Sequence, residues 1–213
     1  MISGEAYALI VHGYSQDQFN SFQVEAARKV CGDLIAEGRQ IRIISPTGSI
    51  DHGKTYIGDE IADSLRQTHP KITEITALHA KTTTRREIEK IDDEIGPEAL
   101  SNAEFIVIGP HEKRVRRAIR DELKHQIGFW AAIRAAKDAH IIPTENLLSD
   151  ELRAELVQSR TYKSYRRFER LIANPIDIVP FIGPLFLETI NNIFPNKSPE
   201  RWLTEGRRGR ASN

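Results

Sequence analysis

Tyr7-Ala8-Leu9-Ile10-Val11-His12 is an apolar run that ends on Gly13-Tyr14-Ser15, and its reading decides the fold. A run without polar alternation before its closing histidine fits a strand buried on both faces, and the Gly-Tyr-Ser that follows fits a tight turn out of its carboxyl end. Downstream, Phe22, Val24, Ala27, Val30, Cys31, Leu34 and Ile35 recur at three and four. That spacing predicts a helix over 22–37, closed by Gly38 as a C-cap. Ile41-Arg42-Ile43-Ile44-Ser45 predicts a second strand, then a polar loop over 46–53, then a helix with Ile57, Ile61, Ala62 and Leu65 on its apolar face that ends near Pro70. The same reading gives a strand over 72–78, a helix over 87–95, a strand Phe105-Ile106-Val107-Ile108, a helix over most of 115–136 and a short strand His140-Ile141-Ile142. Strands alternating with helices of this length are βαβ crossovers. The expected fold is therefore α/β, a doubly wound, mostly parallel Rossmann-like sheet of about five strands.

Past residue 143 strands give way to helices over 149–171 and 185–194, with Pro175, Pro180, Gly183 and Pro184 between them. The chain accordingly divides into a Rossmann-like ligand-binding domain over 1–143, a helical annex over 144–195 packed on it, and a basic, disordered tail over 196–213. Residues 171–194 are apolar, but three prolines and two acids interrupt them. They do not form one regular spanning helix, and packing on the sheet or on a second copy in a homo-oligomer is favoured over contact with a membrane interface.

The 213 residues, 39% of them apolar, suit one medium domain with an annex. Thirty basic residues balance thirty acidic ones, which argues against a nucleic-acid coat and an acidic disordered chain. The zero conceals a split: 11 basic and 17 acidic residues precede Val107, and 19 basic and 13 acidic follow. The single cysteine, Cys31, excludes an internal disulfide framework and suits a reducing compartment. The first residues, MISGEAYALIVHG, carry no basic n-region or cleavage signal, so a cytoplasmic protein is expected.

Three loops at expected carboxyl ends of strands carry polar chemistry, and ligands of open α/β sheets bind at that edge. Gly48-Ser49-Ile50-Asp51-His52-Gly53-Lys54-Thr55 satisfies G-x-x-x-x-G-K-[ST] between a strand and a helix. There, backbone N–H groups would cradle phosphates, Lys54 would neutralise them and Thr55 would hold magnesium. The partners of such a loop are missing: no apolar strand ends in a suitable Asp, Asn196-Lys197-Ser198-Pro199 lacks the guanine-binding Asp, and Pro46 and Thr47 separate the strand from Gly48. A P-loop nucleotide hydrolase therefore stands as an alternative. Next come His79-Ala80-Lys81-Thr82-Thr83-Thr84-Arg85-Arg86-Glu87 and Gly109-Pro110-His111-Glu112-Lys113-Arg114. Thr84-x-x-Glu87 reads as a capping box, while hydroxyls and cations at a helix start also favour an anion.

No pair of histidines has i, i+4 metal spacing and no HExxH motif occurs, so no metal site is expected, and the absence of a G-x-S-x-G elbow argues against a serine nucleophile. His12, at a strand end, is expected to face a neighbouring helix rather than the crevice. Asp51 and Glu60 read first as dipole partners of a helix start. In the annex, Arg160, Lys163, Arg166, Arg167 and Arg170 interleave with aromatics, a pattern compatible with nucleic acid. Tyr162, Tyr165, Phe168 and Ile172 nevertheless recur at three and four, which favours a core face over a nucleic-acid surface.

The segments ALIVHGYS, AARKVCGDLIAEG and IRIISPTGS, followed by Asp59-Glu60-Ile61, by HAKTTTRRE and by Val107-Ile108-Gly109-Pro110 with His111-Glu112-Lys113-Arg114, resemble in order and spacing the motifs of the YdcF/SanA/ElyC group of bacterial α/β proteins. The likeness spans about residues 7–118 and favours the fold above the site. Where that group has Glu-x-x-Ser-x-Asn-Thr-x-Glu, this chain has His79, Thr82, Thr84, Arg85 and Glu87. The group is associated with envelope biogenesis and nucleotide-like ligands, so the resemblance implies a nucleotide or a molecule such as S-adenosylmethionine. The replacements make the crevice more cationic and favour an anionic, phosphorylated ligand. The expected anion site comprises Thr47, Gly48, Ser49, Gly53, Lys54, Thr55, Glu60, Thr82, Thr84 and Arg85, over a floor of Gly13, Tyr14 and Ser15. His79, His111 and Arg114 are the candidates for proton transfer or charge stabilisation. The non-enzymatic alternative is a ligand-sensing or interaction module that uses the basic annex.

Overall fold

In a computed structural model, residues 6–14, 17–47, 57–70, 72, 74–79 and 83–173 are described. They form β1 (Tyr7–Val11), α1 (Asp17–Ala36), β2 (Ile41–Thr47), α2 (Ile57–Thr68), β3 (Glu74–His79), α3 (Thr84–Asn102) and β4 (Glu104–Val107). Then follow α4 (Glu112–Ile127), α5 (Phe129–Asp138), β5 (His140–Pro143), α6 (Asp150–Gln158) and α7 (Arg160–Phe168). Short 3-10 turns occupy Gly109–His111 and Thr144–Asn146, and a π turn, Glu169–Ala173, follows α7.

The five strands run in the order β3-β2-β1-β4-β5, and every pairing is parallel. This is the doubly wound arrangement expected from the alternating pattern. The chain winds outward from β1 through β2 to β3, returns through α3 and continues through β4 to β5. The reversal places a topological switch between β1 and β4, where Leu9, Ile10 and Val11 pair with Glu104, Phe105 and Ile106.

Alternation along the central strands sends side chains to two cores. Leu9, Val11, Ile41, Ile43 and Ile106 pack with Phe19, Ala27 and Leu34 of α1 and with Ile61 and Leu65 of α2. Ala8, Ile10, Ile44, Phe105 and Val107 pack with Ile88 and Ile91 of α3, Ile119 and Leu123 of α4 and Ala132 of α5. Because both faces are covered, β1 and β4 lose all polar alternation, as strands buried on both faces do. The annex joins the first core through Leu148, Leu156, Tyr162 and Tyr165. No helix among the described residues is long and apolar enough to cross a membrane.

Helix boundaries depart from periodicity where local chemistry overrides it. Gly38 (φ 73°) does close α1, with Gly38 N–H donating to Ile35 and Arg39 N–H to Leu34 in a Schellman arrangement. The helix expected over 87–95 begins at Thr84 and runs on to Asn102 through a kink at Gly96 (φ 80°, ψ 164°), with Pro97 starting the second half. The single helix expected over 115–136 breaks into α4 and α5 at Gly128 (φ 84°). The one expected over 149–171 breaks at Ser159, whose extended backbone ends α6 and whose hydroxyl accepts from Tyr162 N–H to start α7.

Candidate functional site

The carboxyl ends of β1 and β4 open toward the annex, and the polar side chains there are buried and joined to one another. His12, one residue past β1, is 1% exposed, stacks near Phe105 and holds Nδ1 3.3 Å from Oε2 of Glu87 in the first turn of α3. Its Nε2 has no hydrogen-bond partner among the described residues. Tyr14 is fixed by a reciprocal pair, in which its N–H donates to Asn20 Oδ1 and its carbonyl accepts from Asn20 Nδ2. Its hydroxyl then accepts from Ile108 N–H at 3.0 Å, tying the loop after β1 to the loop after β4.

His111 ends the 3-10 turn that follows β4, and it is 6% exposed. Its Nε2 lies 3.1 Å from Thr84 Oγ1, and its Nδ1 lies 3.1 Å from Glu169 Oε1 and 2.8 Å from the Tyr165 hydroxyl. Arg114, one turn into α4, spans the same groups: Nη1 donates to Glu169 Oε1 at 3.0 Å and Nη2 to Thr84 Oγ1 at 3.1 Å. With Nδ1–H directed at Glu169, Nε2 is free to accept the Thr84 proton. Hydroxyl, imidazole and carboxylate are thus connected in the order used to activate a hydroxyl or a water by general-base catalysis.

Burial decides the ionisation of this group. Desolvation lowers the His111 pKa below its ordinary 6.5, and the Glu169 charge only partly opposes it, so the ring is held neutral, with one nitrogen lone pair able to accept a proton. For Glu169 burial pushes the pKa up, but Arg114 and then His111 and Tyr165 outweigh that and bring the carboxyl down to about 2. Tyr14 and Tyr165 are pushed well above the phenol range, chiefly by burial and in each case also by nearby carboxylates, and remain protonated.

A second buried carboxylate supports the first. Glu145, in the turn after β5, accepts from Gly109 N–H through both oxygens at 3.1 and 3.0 Å and from the Tyr162 hydroxyl. Thr144 donates to Gln23 Oε1 and lies 3.0 Å from the Val107 carbonyl. The start of the His111 turn is therefore clamped to both the sheet and the annex.

The sequence candidates separate into groups. Tyr14, Thr84, His111 and Arg114 meet in this network, beside Gly13, which is half-buried. Thr47, the last residue of β2, pairs in register with His79, the last of β3. His79 is exposed and faces Asp59 of α2 at 3.0 Å, next to the exposed Glu60. Arg85 is exposed on α3. Ser15, Gly48, Ser49, Gly53, Lys54, Thr55 and Thr82 lie outside the described residues, in segments leaving the carboxyl ends of β1, β2 and β3.

The expected Thr84–Glu87 capping box is corrected. Thr83 is the N-cap and accepts from Arg86 N–H, which leaves Thr84 inside the helix with its hydroxyl turned to His111 and Arg114, and Glu87 turned to His12. A third threonine displaced the cap by one residue and freed both side chains for the site. His12 does face a neighbouring helix, as expected.

Glu145, Tyr162, Tyr165 and Glu169 were absent from the sequence candidates. Tyr162 and Tyr165 form the expected core face of α7, with Arg166 and Arg167 exposed opposite. Glu169 stands four residues after Tyr165 and seven after Tyr162, so helical spacing already placed this lone acid on the buried tyrosine face.

A groove of about 370 Å³ lies at the opposite, amino edge of the sheet, lined by residues including Tyr7, Arg42, Glu74, Ile95 and Asn102. Its charges are internally matched, with Arg42 paired to Glu74 and Glu94 and Tyr7 hydrogen-bonded to Glu104. The chemistry therefore concentrates at the carboxyl edge. Among the described residues no group of three or more His, Cys, Asp or Glu is placed to hold a metal ion. No protein-family model matches the chain, and neither a curated protein nor a solved structure matches it.

Proposed function

We propose that the carboxyl edge at the β1/β4 switch binds, and turns over, an anionic small molecule of the phosphorylated or nucleotide-like class. The observation that carries this reading is the Thr84–His111–Glu169 relay with Arg114 across it, a neutral imidazole and a guanidinium side by side at the place where doubly wound sheets bind ligands. Arg114 supplies the planar two-pronged donor that suits phosphate or carboxylate. His111 supplies a base that burial keeps unprotonated, oriented through its second nitrogen by Glu169.

The order of motifs that resembles the YdcF/SanA/ElyC group supports the same ligand class, and the exposed Arg85 adds positive charge beside that edge. In this reading the segment over 48–56, which joins β2 to α2, supplies the phosphate cradle. A second reading, a sensor that binds the same ligand without turnover, is favoured by one observation: Tyr165 and Glu169 of the annex already occupy His111 Nδ1.

Mass spectrometry of the natively purified protein, followed by a thermal-shift panel of nucleotides and phosphate esters, tests the proposal. A co-purifying anionic ligand, or a panel member that raises Tm, is the expected result. Turnover lost in His111→Gln separates the enzyme from the sensor. No ligand and no shift across the panel would contradict both readings.

A further inference from the structure

We infer that Arg114 and His111 form an oxyanion subsite filled by the chain's own Glu169 carboxylate, so that the turn carrying Glu169 is a strap displaced when an anionic ligand binds. The inference rests on the proposed function and names the regulation of that site.

The donors around Glu169 are those an external phosphate or carboxylate would use. Arg114 directs one nitrogen to Glu169 and the other to Thr84, and His111 reaches both through its two ring nitrogens. Arg114 and His111 belong to the turn and helix after β4, whereas the carboxylate arrives from the annex, 58 positions after His111 and 55 after Arg114. The subsite is thus built by the Rossmann-like body and filled by a separate element.

The carrier is suited to release. Glu169 opens a π turn, whose i→i+5 bonding is uncommon and recurs at functional sites. Glu169 is 1% exposed, while Arg170 is exposed and Leu171 is 66% exposed, so Glu169 is the buried side chain among these three residues of the turn. Tyr162 and Tyr165 hold α7 itself in the core, which confines the movement to the residues after Phe168. The oxyanion takes the place of the Glu169 carboxylate at Arg114 Nη1 and His111 Nδ1, so the ring keeps its orientation while the carboxylate moves into water, and the ligand's apparent affinity scales with the fraction of molecules in which Glu169 is unseated.

The test titrates inorganic phosphate into the wild-type protein and Glu169→Gln by calorimetry. The variant, which keeps the shape and an acceptor but loses the charge, is expected to bind at least about tenfold tighter. Adding Arg114→Gln is expected to abolish the gain. Glu169→Asp, which retracts the carboxylate, serves as the second variant and moves in the same direction. In the wild type, phosphate is expected to accelerate tryptic cleavage after Arg170. Equal affinity in wild type and both variants, a gain that survives Arg114→Gln, or cleavage indifferent to phosphate would overturn the strap. Failure of the strap is distinct from failure of the ligand reading. A phosphate ester whose binding is weakened by Arg114→Gln and untouched by Glu169→Gln removes only the strap. A phosphate gain with no ester or nucleotide bound supports the strap and removes the ligand reading.

Discussion

The His111 imidazole, on the turn after β4, stands 3.1 Å from the Glu169 carboxylate contributed by the annex 58 residues later. Both groups have depressed pKa values in the folded state, so both make stability fall with acid. The unfolded chain takes up a proton at His111 as pH drops through 6.5 while the folded chain resists, and it does so again at Glu169 between 4.5 and about 2. Urea unfolding followed against pH should show a first loss of stability below about pH 6.5 and a second below about pH 4.5. In His111→Gln the first should diminish, and in Glu169→Gln the second. A profile unchanged by either substitution would contradict the ionisation states assigned to the relay.

Removing one partner of a buried ion pair leaves the other uncompensated. Glu169→Ala and Arg114→Ala should each cost about 3–5 kcal/mol, and Glu169→Gln less, since its amide oxygen still accepts from Arg114. The double alanine variant should lose less than the sum, because the two act on one interaction. Denaturant midpoints of the wild type and the four variants provide the measurement.

Adjacent threonines at the start of α3 should respond to substitution for different reasons. Thr83→Ala removes the N-cap and should cost about 1 kcal/mol. Thr84→Val keeps the shape and deletes the hydroxyl shared by His111 and Arg114, at a cost of about 1–3 kcal/mol. Only the second should move the His111 ring resonances in an NMR spectrum. Movement in Thr83→Ala alone would restore the cap to Thr84.

Gly109 is held against Glu145 so closely that a Cβ there would stand 2.7 Å from Oε1. Because Glu145 is pinned by Tyr162 and by the Gly109 N–H itself, Gly109→Ala should cost about 1–3 kcal/mol through overpacking. Adding Glu145→Ala removes the overlap, so the double variant should lose less than the two single losses combined.

How much of this was legible in the sequence follows from the range of each interaction. The strands at Tyr7–Val11 and Glu104–Val107 declare themselves by the apolar runs over Tyr7–Val11 and Phe105–Ile108, since each is buried on both sides and its pattern needs nothing distant to explain it. His111, Arg114, Thr84 and Tyr14 were recognisable as polar residues at carboxyl ends of strands. The carboxylate shared by His111 and Arg114 was not, because Glu169 reaches His111 across 58 positions from a segment whose local pattern is merely helical, just as Glu145 reaches Gly109 across 36 from a polar turn. The cap shifted to Thr83 for a similar reason: three threonines in a row satisfy the local rule equally, and His111 decides among them.

The central claim is that Arg114 and His111 receive an anionic ligand at the β1/β4 switch. Calorimetric titration of the phosphate ester or nucleotide giving the largest thermal shift, into wild type and Arg114→Lys, tests it most directly. Lysine keeps the charge but loses the planar fork, so the account predicts measurable binding by the wild type, weakened about tenfold or more in the variant. Equal affinity in the two proteins, or binding by neither, would contradict it.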